Sequence, residues 1–512
     1  MKLLTARQMQ ALDAEAIGGL GLPALVLMEN AARALCVELQ RLYPASSYPR
    51  VLALAGKGNN GGDAIAAVRI LASRGYGVSL ILLAEPKDLK PDAVTQLSIY
   101  KRLNLPVQTA TRIETLRQAL DCHLGEAGRT VLIDGLFGVG LTHPLEGFWA
   151  EAVNLINTLE GPVVAVDLPS GCLEEDSPGS VRVTTDLTVT FQEPKVALIR
   201  PENRACAGLV KVVDIGIPGS LYEGRDDLIR WIDDSVCAPL LAPRDPFSSK
   251  RSHGHGLAVA GSETMPGAGI LAVRAALAAG IGLCTASVPE KRFDAYAVSC
   301  PEALLHKRQD PLDPGAYDAL LLGPGIGLGE AGDPLLPDLL ARFEGPLILD
   351  ADGLNRLARY GKALPEGKES RELVMTPHAG EAARLLGRER SWVEAHRIEA
   401  VGELAKRHRA TVVLKGKYSL VADPAGRIFV NPTGHAGMAV AGSGDVLAGL
   451  LLGLIAQFHG RIAVPDLVCA AVWLHGRCGE LAILETGGLA VPAGGLIGFL
   501  PRALREDHGI SL

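Results

Sequence analysis

Residues 50–74 read RVLALAGKGNNGGDAIAAVRILASR. The apolar run Arg50–Gly56 is too short for a core helix and rich in Val and Leu, so it reads as a buried strand. The spacing from about Asp63 to Arg74 is helical. Between them lies Gly56-Lys-Gly-Asn-Asn-Gly-Gly-Asp63, a glycine-rich turn. The same strand-then-helix order continues outward. Val78–Ala84, Val131–Asp134 and Pro162–Asp167 read as further strands, with helical spacing between them, as in Glu146–Leu159. An alternating order of this kind implies a parallel sheet covered by helices on both faces. Val181–Asp214 reads as several short strands that finish this sheet.

Pro218–Asp234 mixes Gly, Pro and charges and is the best linker. A second α/β series follows, with strands at Leu257–Gly261, Leu283–Val288, Ala319–Gly323, Pro346–Asp350, Leu373–Thr376 and Thr411–Lys415. Tyr418–Ala422 and Arg427–Asn431 read as a hairpin joined through Asp423-Pro-Ala-Gly426. The tail, Gly444–Leu484, is strongly helical. The expected architecture is therefore α/β in two domains, residues 1–222 and 228–512. A length of 512 residues gives each a core of its own.

Composition narrows the function classes. The 48% apolar and 21% charged residues are those of a folded globular chain. Charges sum to −7, and the densest basic cluster is Lys250-Arg251, so neither nucleic acid nor a membrane surface is an expected partner. A small anion held by backbone amides needs few net charges and stays open. Nine scattered cysteines without a C-x-x-C point to buried thiols in a reducing cytosol. The N-terminus lacks a signal-peptide core, and the apolar stretch Val446–Phe458 is too short to cross a bilayer, so a soluble cytoplasmic protein is expected.

Chemistry-bearing residues gather where the strands end. Asn59, Asn60 and Asp63 stand at the glycine-rich turn. Asp134 leads into Gly135-Leu-Phe-Gly138-Val-Gly140, and Asp167 into Leu168-Pro-Ser-Gly171. Each Asp taken alone reads equally as a helix cap or turn residue. Three such mouths in one sheet read as a shared crevice beyond the strand ends. In the second half, Ala441-Gly-Ser-Gly-Asp445 opens a helix. Free amides there face developing negative charge, and Asp445 stands where a carboxylate could deprotonate an attacking hydroxyl. Lys415 in Leu414-Lys-Gly416 can sit beside a nucleotide phosphate. Thr376-Pro-His-Ala-Gly-Glu381, Gly323-Pro-Gly-Ile-Gly327 and Asp350-Ala-Asp352-Gly-Leu-Asn355 are further mouths of the same kind. His378 reads equally as a ligand contact or a capping residue.

The set NNGGD, DGLFGVGLTHPLEG and DLPSG, with Thr5-Ala-Arg-Gln-Met9 and Met28-Glu-Asn-Ala-Ala32, resembles the epimerase domain of the bifunctional NAD(P)H-hydrate repair enzymes over roughly residues 1–220. The resemblance implies a Rossmann-like domain that epimerises hydrated NADH and NADPH at the carbon bearing the added hydroxyl. It implies that Asn59, Asn60, Gly61, Gly62 and Asp63, with Gly138, Val139, Gly140, Leu141, Thr142, His143 and Pro144, hold the hydrate. Asp167 would face the reacting end, and Asn60, Asp134 and Ser170 would ligate potassium. Ala64 departs from the family's usual Gly, and its methyl is expected to narrow the loop.

The strings LLLGPGIG, LILDADGLN, MTPHAGE, VVLKG and NPTGHAGMAVAGSGDVLAGLL are similar to the ribokinase-like dehydratase domain of the same family, from about residue 228 to 500. The implied reaction removes water from the S epimer at the expense of ADP, taken with magnesium. Asp445 would deprotonate the hydroxyl, which attacks the terminal phosphate. Loss of phosphate from the intermediate then regenerates the nicotinamide and leaves AMP. Ala268, Gly327, His378 and Asp445 would touch the hydrate. Lys415, Gly416, Lys417, Tyr418, Ser419 and Gly444 would hold the nucleotide. Lys417-Tyr418-Ser419 replaces a frequent Gly-Thr pair, Ala260 a frequent Gly, and Gly494 a usual Asp. A homo-oligomer is the expected assembly. The rival reading is a ribokinase-like small-molecule kinase with a non-catalytic nucleotide-binding N-terminal domain, which would stop at a phosphoester.

Overall fold

The computed structural model describes residues 2–124, 129–174, 179–225, 227–328, 338, 341–360 and 371–505. The chain divides into two compact units, Lys2–Asp226 and Asp227–Leu512, the second joined by Met1.

In the first unit, strands β1 (Arg50–Ala55), β2 (Gly77–Leu82), β3 (Val107–Thr109), β4 (Thr130–Gly135), β5 (Val163–Val166), β6 (Leu187–Phe191) and β7 (Leu209–Val213) form one sheet. Its order is β3-β2-β1-β4-β5-β6-β7 and all neighbours are parallel. The order reverses between β1 and β4, so the ends of these strands open a crevice there. The inner strands are buried on both faces, as their unbroken Val, Leu and Ile runs require. Val181–Asp214 contributes two strands, with a short 3-10 turn and helix between them, instead of a series of strands. The glycine-rich stretch is helical earlier than its composition suggests: helix Asn59–Ser73 starts four residues before Asp63, with Gly58 at its N-cap. Gly61 makes this possible, since a Cβ there would overlap the Gly56 carbonyl oxygen.

In the second unit, strands β8 (Ile229–Trp231), β9 (His255–Val259), β10 (Leu283–Val288), β11 (Leu304–Lys307), β12 (Ala319–Leu322), β13 (Leu347–Leu349), β14 (Leu373–Met375), β15 (Ala410–Leu414), β16 (Leu420–Ala422) and β17 (Ile428–Val430) pair in the order β8-β17-β16-β15-β14-β13-β12-β9-β10-β11. Only the β15–β16–β17 pairings are antiparallel. Part of the linker Pro218–Asp234 is thus a strand, because Ile229–Trp231 pairs with Phe429 and Val430; Asp226 lies outside the described residues.

Two helices fix the second site. Ser443–Phe458 crosses Pro266–Ala278 at close range, because a Cβ at Gly449 would overlap the Ala272 carbonyl and one at Gly453 would sit 2.6 Å from Ala279 Cβ. Val464–Thr486 corrects the expectation that no segment is long and apolar enough to span a bilayer, since its 23 residues meet both criteria. Its apolar window is 72% buried inside the fold, the position of a core helix. Asp466, Arg477 and Glu480 break up its apolar run in the sequence, which is why composition alone passes over it.

Candidate active sites

In the first unit the ends of β1, β4 and β5 surround a cavity of about 750 Å³. Asn59, Asn60, Asp63, Gly138, Val139, Gly140, Leu141 and Asp167 all line it. Gly61 and Gly62 do not. They are buried where the helix packs on Gly56 and on the Met28 side chain. Thr142, His143 and Pro144 are exposed and off the cavity wall. The Ala64 methyl is fully buried and turned toward Gly135, so it does not narrow the cavity.

Asp134 and Asp167 play different parts. Asp134 is buried; its Oδ2 accepts from Ser170 N at 2.7 Å, and its Oδ1 from Ser170 Oγ at 2.6 Å and from Leu136 N at 3.3 Å. Burial pushes its carboxyl up to about 6 despite these bonds. Asn60 Nδ2 donates to Phe137 O at 3.0 Å, which leaves its Oδ1 beside Gly138, and Phe137 N donates to Ser170 Oγ at 2.9 Å. Asn60, Asp134 and Ser170 therefore belong to one network of oxygen donors around the Phe137 backbone.

Asp167 sits at φ +63°, a left-handed conformation that costs a non-glycine residue about 1 kcal/mol or more. What holds it there is Lys195, a residue with no sequence signal. Lys195 is 1% exposed and its Nζ donates to Asp167 Oδ1 at 2.6 Å, Phe191 O at 2.6 Å and Thr190 Oγ1 at 3.1 Å. Thr190 Oγ1 and Phe191 N also donate to Asp167 Oδ1. Two more carboxyls face this pair. Asp63 is raised well above the usual range by burial and by the charges of Asp167 and Asp13. Asp13, on helix Ala6–Gly18, is pushed up to about 6 by burial, with Lys195 opposing and Asp167 adding.

In the second unit Asp445 is the third residue of helix Ser443–Phe458, with Gly442 at the N-cap in the left-handed region (φ +91°) and no side chain capping the end. Ser443 N donates to Val440 O at 3.4 Å, and the Gly444 and Asp445 amides that follow are left for a ligand. Burial, then the nearby charge of Asp350, pushes the Asp445 carboxyl up to about 6, against the pull of Lys415. Lys415 Nζ donates to Asp350 Oδ1 at 2.7 Å, and Thr376 Oγ1 donates to the same oxygen at 2.7 Å. Burial works to discharge Lys415, but Asp350 and Glu381 outweigh it and hold the ammonium above its ordinary pKa. A Cβ on Gly444 would lie 3.4 Å from Lys415 Nζ. Lysine and helix end therefore meet at one point.

The other residues surround this centre. Gly327 N donates to Asp352 Oδ2 at 2.8 Å, and the charge of Asp352 also raises Asp445. Ala268 packs under Gly325, where a Cβ would come within 2.9 Å of its methyl. His378 is a cap. Its Nδ1 accepts from Gly380 N at 3.0 Å and Glu381 N at 3.3 Å, while Glu381 Oε2 accepts from His378 N at 2.9 Å. Its Nε2 lies 3.4 Å from Glu381 Oε1. The turn Lys415–Ser419 is clamped by Arg397, which donates to the Lys417, Leu414 and Tyr418 carbonyls. Tyr418 takes a left-handed φ of +53° and stacks near Trp231, and Lys417 reaches the Gly434 carbonyl at 2.9 Å. Ala260 is buried, with its carbonyl accepting from Arg308 at 2.8 Å, and Gly494 has only ordinary contacts.

Among the described residues no cluster of three or more His, Cys, Asp or Glu is placed to hold a metal ion. Sequence reasoning missed Lys195, Asp13, Arg397 and His475, which lies 3.3 Å from Ser443 Oγ. Asp350 and Thr376 stood in quoted motifs without a role.

Comparison with known proteins covers both units. The family model described as NAD(P)H-hydrate dehydratase matches residues 257–502, and that of the YjeF-related protein N-terminus matches residues 24–197. Proteins named bifunctional NAD(P)H-hydrate repair enzyme from Moorella thermoacetica and Thermofilum pendens are 37% and 34% identical, each over 99% of this chain and 97% of its own length. The crystal structure of an ADP/ATP-dependent NAD(P)H-hydrate dehydratase from Bacillus subtilis, co-crystallised with ATP and Mg²⁺, is 29% identical over 54% of this chain and 97% of that one, with a TM-score of 0.49. Both units are α/β folds, the C-terminal one within the NAD(P)H-hydrate dehydratase family model and the N-terminal one within that of the YjeF-related protein N-terminus. With relatives matched from end to end through both sheets, the chain belongs to the family of bifunctional NAD(P)H-hydrate repair enzymes.

Proposed function

We propose that this chain repairs hydrated NADH and NADPH. The N-terminal unit interconverts the R and S hydrates, and the C-terminal unit dehydrates the S form with ADP, giving NAD(P)H, AMP and phosphate. The observation that carries the reading is the conjunction at Asp445. A carboxylate with its pKa near 6 stands at an uncapped helix end, beside a buried lysine that is neutralised by Asp350.

Asp445 accepts the proton of the substrate hydroxyl as its oxygen attacks the terminal phosphorus. The Gly444 and Asp445 amides meet the charge growing on the phosphate oxygens, where fixed dipoles are worth most. Lys415 adds a point charge at the same place. Phosphorylation turns hydroxide, a poor leaving group, into phosphate, a good one. Magnesium would accompany the nucleotide in this reading and offset the charge on its phosphates.

Potassium belongs to the N-terminal unit. Asn60, Asp134 and Ser170 supply hard oxygen donors with a single formal charge, and Asp134 forms no ion pair with a described residue. A monovalent cation fits that charge and that donor set, and it would lower the cost of keeping Asp134 ionised. Residues 1–222 carry the epimerase and 228–512 the dehydratase. A cytoplasmic setting fits nine free thiols, and a homo-oligomer is the assembly we expect.

The test mixes the protein with both epimers of NADH hydrate, ADP, magnesium and potassium, and follows the nicotinamide absorbance. Recovery from both epimers is expected. Recovery from the S fraction alone refutes the epimerase half. No recovery with ADP or ATP, and a stable phosphoester instead, refutes the dehydratase and favours a kinase.

A further inference from the structure

We infer that Asp13 is a second proton-transfer group of the epimerisation, acting on the hydrate in the cavity shared with Asp63, Asp167 and Lys195. This rests on the epimerase reading above and extends it to a residue that no motif marks.

Helix Ala6–Gly18 is set by a capping box, with Thr5 N donating to Gln8 Oε1 at 3.0 Å and Gln8 N donating to Thr5 Oγ1 at 3.1 Å. Gln10 Nε2 donates to Val139 O at 3.3 Å and ties the helix to the Gly138–Leu141 loop. Met9, Asp13 and Ile17 are spaced by four, so they share one helix face, and all three line the cavity. A carboxylate interrupts what would otherwise be an apolar stripe. It is half-buried and accepts no hydrogen bond from a described residue. Such a placement costs stability and contributes nothing to the fold.

The other groups around it are committed. Asp167 Oδ1 already accepts from Lys195, Thr190 and Phe191, and the Lys195 ammonium is engaged by three oxygens. Protonating Asp167 Oδ1 would weaken that ion pair, so Asp167 has its Oδ2 alone to turn to the hydrate in the cavity it lines. Burial and the charges of Asp167 and Asp13 raise the Asp63 carboxyl well above its ordinary range. The groups facing Asp13 are thus Lys195, Asp167 and Asp63, from three different elements, and Asp13 lines the cavity with a carboxyl that is pushed up to about 6 and bonded to no described residue, placed to exchange a proton near neutrality.

Inversion of a carbon that bears a hydroxyl beside a ring nitrogen needs this division. The nitrogen lone pair forms C=N as the C–O bond breaks, and the departing hydroxyl takes the Asp63 proton and leaves as water. Water then adds to the opposite face, the C=N pair returns to nitrogen, and the surplus proton passes to Asp13. Proton exchange between the two carboxyls restores the start.

The experiment uses the full chain with purified R hydrate, ADP, potassium and magnesium, and reads the rate above the spontaneous one. For Asp13→Asn the expected result is a loss of about 100-fold or more in kcat from the R hydrate with little change in KM. Conversion of the S hydrate should be intact. Asp13→Glu should recover part of the loss, and the acid limb near pH 6 should vanish from the residual activity of Asp13→Asn. Its thermal midpoint should not fall. Retention of kcat within a few-fold, a loss confined to KM, or a fallen midpoint without recovery in Asp13→Glu overturns the assignment. A wild-type protein that converts only S hydrate refutes the epimerase reading and the role of Asp13 with it.

Discussion

Asp445→Asn should abolish dehydration and make the C-terminal unit more stable. The Asp445 carboxyl rises from an ordinary value of 3.8 to about 6, chiefly through burial. A raised acid binds more protons folded than unfolded, so stability falls as pH climbs from about 4 to about 6 and the full cost remains above that. About two pKa units correspond to about 3 kcal/mol, and partial contact with solvent reduces that to about 1.5–3 kcal/mol. Asparagine carries no such cost. The midpoint of the unit should rise by about 3–6 °C at pH 8, with almost no difference at pH 4. Scanning calorimetry of the full chain at the two pH values reads this directly, and the S-hydrate rate of the wild type should fall tenfold per pH unit below about 6. An unchanged or lower midpoint at pH 8, or an acid limb at pH 4, would refute the electrostatic account of the site.

Lys195→Met strands Asp167 as a buried charge and should cost about 3–5 kcal/mol by denaturant unfolding of the N-terminal unit, with Asp167→Asn in the same chain restoring part of it. Potassium should raise the thermal midpoint of that unit in proportion to the logarithm of its concentration, and Asp134→Asn should remove the dependence; equal midpoints in potassium and in a bulky organic cation would count against the site. Gly449→Leu drives a side chain into the Ala272 carbonyl and should displace the Asp445 helix, so dehydration should fall while R-to-S conversion, read by chromatography of the two epimers, persists.

The positions of most central strands were legible because buried parallel strands are unbroken apolar runs, and Arg50–Ala55, Leu283–Val288 and Ala410–Leu414 stand out for that reason. Val107–Thr109, Leu304–Lys307 and Ile229–Trp231 lie at or near sheet edges, are half-exposed, and carry no such run. Site residues were legible where glycine surrounds them, as at Asn60 and Asp445, because close backbone approach leaves a mark on composition. Lys195 and Asp13 leave none. Each is a single charge in an ordinary stretch, and only folding brings them within reach of Asp167, which is why a pattern along the chain could not report them.

The two units nonetheless solve one problem with the same device. A catalytic carboxylate must titrate near neutrality, and burial is the largest influence raising it in both units. In the second unit Lys415 is bonded to Asp350, so the pair carries little net charge and Asp445 beside it is left near 6. In the first, Lys195 is bonded to Asp167, and Asp13 beside that pair is left at the same value. A lone lysine would have pulled either carboxyl far down, and a lone aspartate would have pushed it up. In the second unit Asp350 raises Asp445 more than Lys415 lowers it, and in the first Lys195 lowers Asp13 more than Asp167 raises it; in both, the pair fixes the geometry of the strand end while the second carboxylate remains free to move a proton.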